Sequence, residues 1–255
     1  MKTLILQIDI AQGTQWAPKP SINPIRKIFI PSVRRYAQAH SYDYQLVTES
    51  QYRKGYGDFG FLATKVKHFS FERYFHLKQD YDHIVYIDND IYVFDKASPL
   101  PPIKGLMNAP EPKGEASEIF RRFHQPQYKK LPKHIKRDVL GGCQYLNSGV
   151  TMMDRKTAHH LQDYMLNRMR KKIRAKGPKN SDNVLLNEYI LQYADSFTML
   201  PQEWNYMPFL PNASKLTGPN FFHFVGNPGK KYLRDLLSKS PDIEDTLEKT
   251  WGGAK

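Results

Sequence analysis

The chain has 255 residues, a formal net charge of +13 and a single cysteine, Cys143. Hydrophobic residues make up 40% and aromatics 13%, which excludes a disordered chain. One cysteine excludes an internal disulfide, and no stretch approaches the roughly 20 apolar residues of a bilayer-spanning helix. The apolar run that starts at Leu4 meets Asp9 too soon for a secretory signal. These features lead us to expect a cytoplasmic protein, at most peripheral to the inner face of a membrane. Its basic excess gathers in residues 121–137 and 168–179. Such runs suit anionic partners (nucleotide diphosphates, acidic headgroups, charged glycans, nucleic acid) or serve as a solvated surface.

Residues 3–10 read as a first strand, followed by a turn at Gln12-Gly13-Thr14. Ser21 or Asn23 is placed to cap a helix running to about His40, with Pro24 in its first turn and Pro31 dividing or kinking it. Residues 42–47 form a second strand, and the aromatic, glycine-rich residues 53–61 a loop. Residues 63–77 carry Val66, Phe69, Phe75 and Leu77 at helical spacing. A strand at 84–87 completes β-α-β-α-β, the pattern of a parallel sheet with right-handed crossovers. Residues 99–140, rich in proline and charge, read as an insertion with one helix near 116–123. A strand at 145–153, a basic helix at 158–173, a helix at 181–192 capped by Ser181, and strands at 197–200 and 220–225 follow. A Gly- and Lys-containing loop then leads into a helical tail, broken near Pro241. No linker divides the chain. The expectation is one α/β domain with a mostly parallel central sheet flanked by helices. It comprises a β-α-β half (1–95), a less regular second half (96–231) and a helical tail (232–255).

Asp88 and Asp90 stand where the strand Ile84-Val85-Tyr86-Ile87 leaves the sheet, and Ile91, Val93 and Phe94 follow them. In open α/β sheets the ligand crevice lies outside the carboxyl ends of the strands. Two unpaired carboxylates in a buried notch are costly, so a cation is their natural partner. Hard oxygen ligands suit Mn²⁺ or Mg²⁺, which also bridge to diphosphates.

The segment His83 to Phe94 resembles the DxD segment of GT-A fold glycosyltransferases. Four further blocks resemble, in order, the retaining family 8 enzymes, the glycogenin and lipopolysaccharide galactosyltransferase group. They are Phe61-Leu62-Ala63-Thr64-Lys65; Leu146-Asn147-Ser148-Gly149-Val150; Ser181-Asp182-Asn183-Val184-Leu185-Leu186-Asn187; and Phe222-His223-Phe224-Val225-Gly226-Asn227-Pro228-Gly229-Lys230. The chain departs from that pattern at Asn183, where the family has glutamine, and at Lys65, where many members carry arginine. The resemblance implies a single GT-A (Rossmann-like) domain and a metal-dependent transferase with a UDP-sugar donor. It also implies a glycan, lipid-linked or protein acceptor and retention at the anomeric carbon. His223 becomes a third metal ligand beside Asp88 and Asp90, with Asp88 also accepting from ribose hydroxyls. Gly226 and Lys230 fall on the diphosphate, as does Lys65. Asp9, and with it Trp16, falls on the nucleoside. Asn147, Asp182 and Asn183 fall on the transferred sugar, and Trp204-Asn205-Tyr206 on the acceptor side.

Competing readings exist for single features. Asp182 also suits helix capping, Asn147 a turn, and His223 a satisfied core histidine. An Asp-x-Asp phosphatase is disfavoured by Tyr92, two residues after the second acid. The net charge alone would fit a nucleic-acid binder, yet no zinc spacing or recognition-helix pattern supports one, and no nucleic-acid partner is expected. A catalytically inactive nucleotide-sugar binder is the remaining alternative.

Overall fold

The computed structural model describes residues 1–9, 25–49, 72–111, 145–173, 182–193, 197–209, 216, 218–240 and 242–252. Its strands are β1 (Thr3–Ile8), β2 (Asp43–Val47), β3 (His83–Ile87), β4 (Ile91–Val93), β5 (Leu106–Glu111), β6 (Tyr145–Asp154), β7 (Phe197–Met199) and β8 (Phe221–His223). Its helices are α1 (Ile30–Ala39), α2 (Arg155–Ile173), α3 (Asp182–Gln192), α4 (Gly226–Lys239) and α5 (Ile243–Trp251). Six strands form one sheet in the order β2-β1-β3-β6-β5-β7, and β4 pairs with β8 in a separate two-stranded ribbon. β1 runs parallel to β2 and β3, and β5 parallel to β7. β6 alone in this sheet runs antiparallel to its neighbours, β3 and β5. The expected β-α-β pattern of the first half therefore holds for its three strands.

The central strands β1 and β3 are largely apolar because helices cover both faces. Successive side chains alternate between two cores, as strand geometry requires. Leu6, Ile8, Ile84 and Tyr86 meet Leu161 and Met165 of α2 and Leu185, Leu186, Tyr189 and Ile190 of α3. On the other face Ile5, Val85 and Ile87 join Val33, Tyr36 and Ala37 of α1. A third core of Phe29, Tyr92, Phe94, Tyr206, Phe222 and Phe224, closed by Leu233, Ile243 and Leu247, underlies the β4–β8 ribbon. Among the described residues no helix is long and apolar enough to cross a membrane.

Local chemistry sets several boundaries. α1 begins at Ile30 with Pro31 in its first turn, after a separate π turn at Ile25–Phe29, so the proline divides the segment as expected. The Asp154 carboxylate accepts from the Thr157 N–H at 2.8 Å, which starts α2 three residues earlier than the apolar pattern suggested. Asp242 caps α5 by accepting from Asp245 N–H at 2.9 Å.

Two expectations are corrected. Residues 99–140 are not all loop, because β5 lies within them, buried between β6 and β7. Pro110 masks it; the proline sits where the β5–β6 register shifts, the kind of irregularity at which a sheet tolerates a residue without an N–H. The glycine-containing stretch after β8 is the first turn of α4, with Pro228 where a missing N–H does no harm. A Cβ on Gly229 would lie 2.2 Å from the Phe224 backbone, so glycine there permits the helix to fold back on its strand. Of the helix expected at 63–77 only its end is described, as a short 3₁₀ turn at Arg73–Phe75. Trp16, Lys65, Ser181, the 116–123 helix and the basic run at 121–137 lie outside the described residues.

Candidate metal centre

Topology brings three distant segments to the carboxyl end of β3. The register Ile87↔Val150 sets Gly149 of β6 beside Asp88, whose N–H donates to the Gly149 carbonyl at 2.7 Å. The ribbon register Ile91↔His223 sets β8 beside Asp90, whose carbonyl accepts from Phe224 N–H at 3.0 Å. Asp88, Asp90 and His223 each present a ligand atom, and these three atoms lie within 4.8 Å of one another. His223 Nε2 is 3.2 Å from Asp90 Oδ1. The imidazole is buried, whereas each carboxylate keeps about a quarter of its side chain exposed to solvent.

A fourth group completes this corner. Arg73 is buried; one guanidinium nitrogen donates to Asp88 Oδ1 at 3.1 Å and the other to the Ser148 carbonyl at 2.7 Å. The guanidinium stacks 3.9 Å from the centre of the Tyr86 ring, and the Tyr86 hydroxyl also donates to Asp88 Oδ1. Electrostatics separate the two acids. Burial, assisted by the Asp90 charge, pushes the Asp88 carboxyl above the ordinary range although Arg73 and His223 oppose it. Burial also acts to raise Asp90, but the His223 charge and hydrogen bond, its own backbone N–H and the Lys230 charge outweigh it and hold Asp90 low. For His223 the burial that would lower its pKa is overcome by Asp90, Asp88 and Glu111, so the ring is held above its usual value.

Behind the imidazole lies a buried amide relay. His223 Nδ1 is 2.8 Å from Asn205 Oδ1; Asn205 Nδ2 donates to Asn147 Oδ1 at 3.1 Å; and Asn147 Nδ2 donates to Glu111 Oε2 at 3.0 Å. Asn147 Oδ1 also accepts from Gly149 N–H at 2.8 Å. Gly149 is small for a reason: a Cβ there would sit 2.3 Å from His223 Cε1 and 2.8 Å from Asn147 Oδ1. Since Asp90 and Asn205 hold that ring from both sides, it has little room to yield. Gly149→Ala is therefore expected to lose about 1–3 kcal/mol of stability through overpacking. An unchanged urea midpoint in that variant would mean the ring moves freely.

The other sequence-selected residues fall around this corner. Asp9, just past β1, accepts from Asn89 Nδ2 at 3.4 Å and donates its N–H to the Val47 carbonyl at 2.9 Å. Asn183, in the first turn of α3, accepts the Ser148 N–H at 2.9 Å, and Asp182 opens the same helix. Gly226 opens α4 three residues after His223, and no side chain caps that helix start. Lys230, exposed one turn on, is near enough for its charge to act on Asp90. Asn147 is buried within the relay.

Sequence reasoning missed Arg73 and Glu111, and it gave Asn205 a different place. An arginine inside Phe71-Glu72-Arg73-Tyr74-Phe75 is the kind of charge that seldom sits in an apolar run unless paired, and that was its signal. Glu111 was hidden with β5. Asn205, between the buried Trp204 and Tyr206, faces His223.

A mostly parallel sheet with one reversed strand and helices on both faces is an α/β architecture of the GT-A type. No family model matches the chain, and no curated protein matches it by sequence. Solved structures do. The galactosyltransferase LgtC, in complex with donor and acceptor sugar analogs, superposes with a TM-score of 0.54 at 14% identity over 99% of this chain and 97% of LgtC. A glycosyltransferase involved in the glycosylation of the major capsid of PBCV-1 gives 0.52 at 14% identity, over 92% of this chain and all of the other. Mouse xyloside xylosyltransferase 1, in its apo form, gives 0.50 at 13% identity, over 89% and 97%. At such identities the likeness establishes the fold.

Proposed function

We propose that the protein is a metal-dependent glycosyltransferase. It moves a sugar from a nucleotide-sugar donor, most simply a UDP-sugar, to a glycan, lipid-linked or protein acceptor, with retention. The observation that carries this reading is the Asp88–Asp90–His223 group at the end of β3, in a fold shared with solved glycosyltransferases.

The donor set fits the ion: two carboxylates and one imidazole are hard-to-borderline ligands suited to Mn²⁺ or Mg²⁺. Asp88, Asp90 and His223 Nε2 hold it. When bound, that ion acts as a Lewis acid toward the negative charge of a departing nucleoside diphosphate. The chain's own groups do the remaining work. The uncapped N–H groups at the start of α4, beside Gly226, face anions favourably, and Lys230 adds a cation on the same side. Lys65 supplies a further charge to the phosphates. Asp9, braced by Asn89, takes the nucleoside. Asp182 and Asn183, at the start of α3, serve the transferred sugar, and Asn147 supports that corner from within its buried network. Arg73 aims Asp88 and opposes, without overcoming, the burial that raises its carboxyl, because it brings a fixed positive charge to that side chain.

Thermal denaturation tests the reading. UDP with Mn²⁺ at about a hundred times its dissociation constant is expected to stabilise by about 2.7 kcal/mol, or about 5–10 °C in a chain of this size. UDP with a chelator is expected to give no shift. Equal shifts with and without chelator would remove the metal from the proposal. A shift with duplex DNA alone would favour a nucleic-acid binder.

A further inference from the structure

We infer that Asn205 is a positioning residue for the metal centre: it holds the Nδ1 proton of His223, so that Nε2 is the nitrogen offered to the cation. This inference rests on the metal reading above and adds a residue to it.

The argument begins from an atom that leaves no choice. The Gly149 backbone N–H donates at 2.8 Å to the Asn147 side chain, and a backbone N–H has only a donor role. The receiving atom of Asn147 is therefore its oxygen, and the other terminal atom is its nitrogen. That nitrogen is 3.0 Å from Glu111 Oε2, which suits an acceptor. Asn205 places one terminal atom 3.1 Å from the same Asn147 oxygen. Because an oxygen accepts, the Asn205 atom there is its nitrogen. The remaining Asn205 atom, 2.8 Å from His223 Nδ1, is then its oxygen and carries no hydrogen. It follows that Nδ1 carries the proton. The orientation of each amide is fixed by the one before it, from a main-chain group of β6 to the imidazole on β8.

Burial makes the relay selective. Asn147, Asn205 and His223 are each exposed by no more than 2%, so water does not substitute for a lost partner. The opposite face of the ring carries Nε2, 3.2 Å from Asp90 Oδ1. A neutral imidazole that kept its proton on Nε2 would present a donor to the acids and nothing to an ion. Partners that fix the tautomer of a ligating histidine typically change metal affinity by roughly 10–100-fold when removed.

Two substitutions separate this role from mere packing. Asn205→Leu keeps the volume and removes the acceptor; Asn205→Asp keeps an oxygen facing Nδ1 and meets the Asn147 oxygen with the proton of its second carboxyl oxygen, which burial between two acceptors retains. Calorimetric Mn²⁺ titration of the full chain is expected to show about 10–100-fold weaker binding in Asn205→Leu and recovery to within about threefold of wild type in Asn205→Asp. In nitrogen-15 histidine spectra of the metal-free wild type, the His223 Nδ1 proton is expected as an exchange-protected signal, and it is expected to vanish in Asn205→Leu. Wild-type Mn²⁺ affinity in Asn205→Leu, no recovery in Asn205→Asp, or a His223 ring in wild type with its Nδ1 unprotonated would each overturn the inference. Failure of the wild-type chain to bind Mn²⁺ would sink the metal reading by itself, while the ring spectra would still decide whether Asn205 holds the proton.

Discussion

Replacing Asp90 with asparagine is expected to abolish sugar transfer and leave the fold standing. In the proposed centre Asp90 is the better ligand of the acid pair because its surroundings favour the ionised form, whereas Asp88 is pushed toward neutrality. Asparagine keeps the shape and the backbone carbonyl that receives Phe224 N–H, and loses the charge. Lewis-acid stabilisation of a leaving group contributes several kcal/mol, so a drop of about 10³-fold or more in turnover is expected. Stability is expected to change little, since two effects oppose each other. A carboxyl held below its ordinary value of 3.8 stabilises the fold above that pH and loses the contribution as pH falls, so the variant forfeits this at neutrality. It also relieves repulsion on Asp88, which burial already strains. Donor hydrolysis with Mn²⁺, read beside a melting curve, checks both halves. Activity at the wild-type level would remove Asp90 from the metal centre.

Arg73→Met is expected to have the largest effect on stability. Methionine fills much of the side-chain volume but removes the charged donor from Asp88, which keeps the Tyr86 hydroxyl, and from the Ser148 carbonyl, which keeps the Thr151 hydroxyl, and it takes the stacked cation from Tyr86. Removing one partner of a buried ion pair costs about 3–5 kcal/mol, and partial exposure of Asp88 places this case near the lower end, about 3 kcal/mol. The Asp88 carboxyl is expected to rise further, so Mn²⁺ binding in the variant weakens at a higher pH than in wild type as acid is added. Urea denaturation and a pH series of Mn²⁺ titrations measure the two consequences. A loss below about 1 kcal/mol would mean that solvent already screens the pair.

The contrast between what was legible and what was not has physical causes. β1 and β3 were readable because a strand covered on both faces is a nearly continuous apolar run, broken in β1 only where Gln7 finds a buried partner. The acid pair was readable because charge is conspicuous at the end of such a run. β5 was unreadable because Pro110 marks an irregularity that local pattern cannot distinguish from a loop. The reversed direction of β6 has no local signature at all, since a buried apolar strand looks the same either way round. That reversal places Gly149 against Asp88 and His223. Pairings such as Arg73 with Ser148, or Asn205 with Asn147, depend on segments 75 and 58 residues apart. Periodicity, which speaks only of neighbours, carries no trace of them. Asp88, Asp90 and His223 were brought together as expected, while the groups that orient them had to be seen.

The bed of the histidine is finished last. α5 lies beneath the ribbon: Glu248 accepts from the Tyr92 hydroxyl at 2.8 Å and from Asp95 N–H at 3.1 Å, and Trp251 packs against Tyr206 and Phe222. A ribosome making this chain releases Asp88 and Asp90 some 130 residues before His223, and the helix that seats the ring some 20 residues later still. Unfinished polypeptides therefore carry the acids without the imidazole, and the proposed centre is complete only once α5 has packed beneath the ribbon.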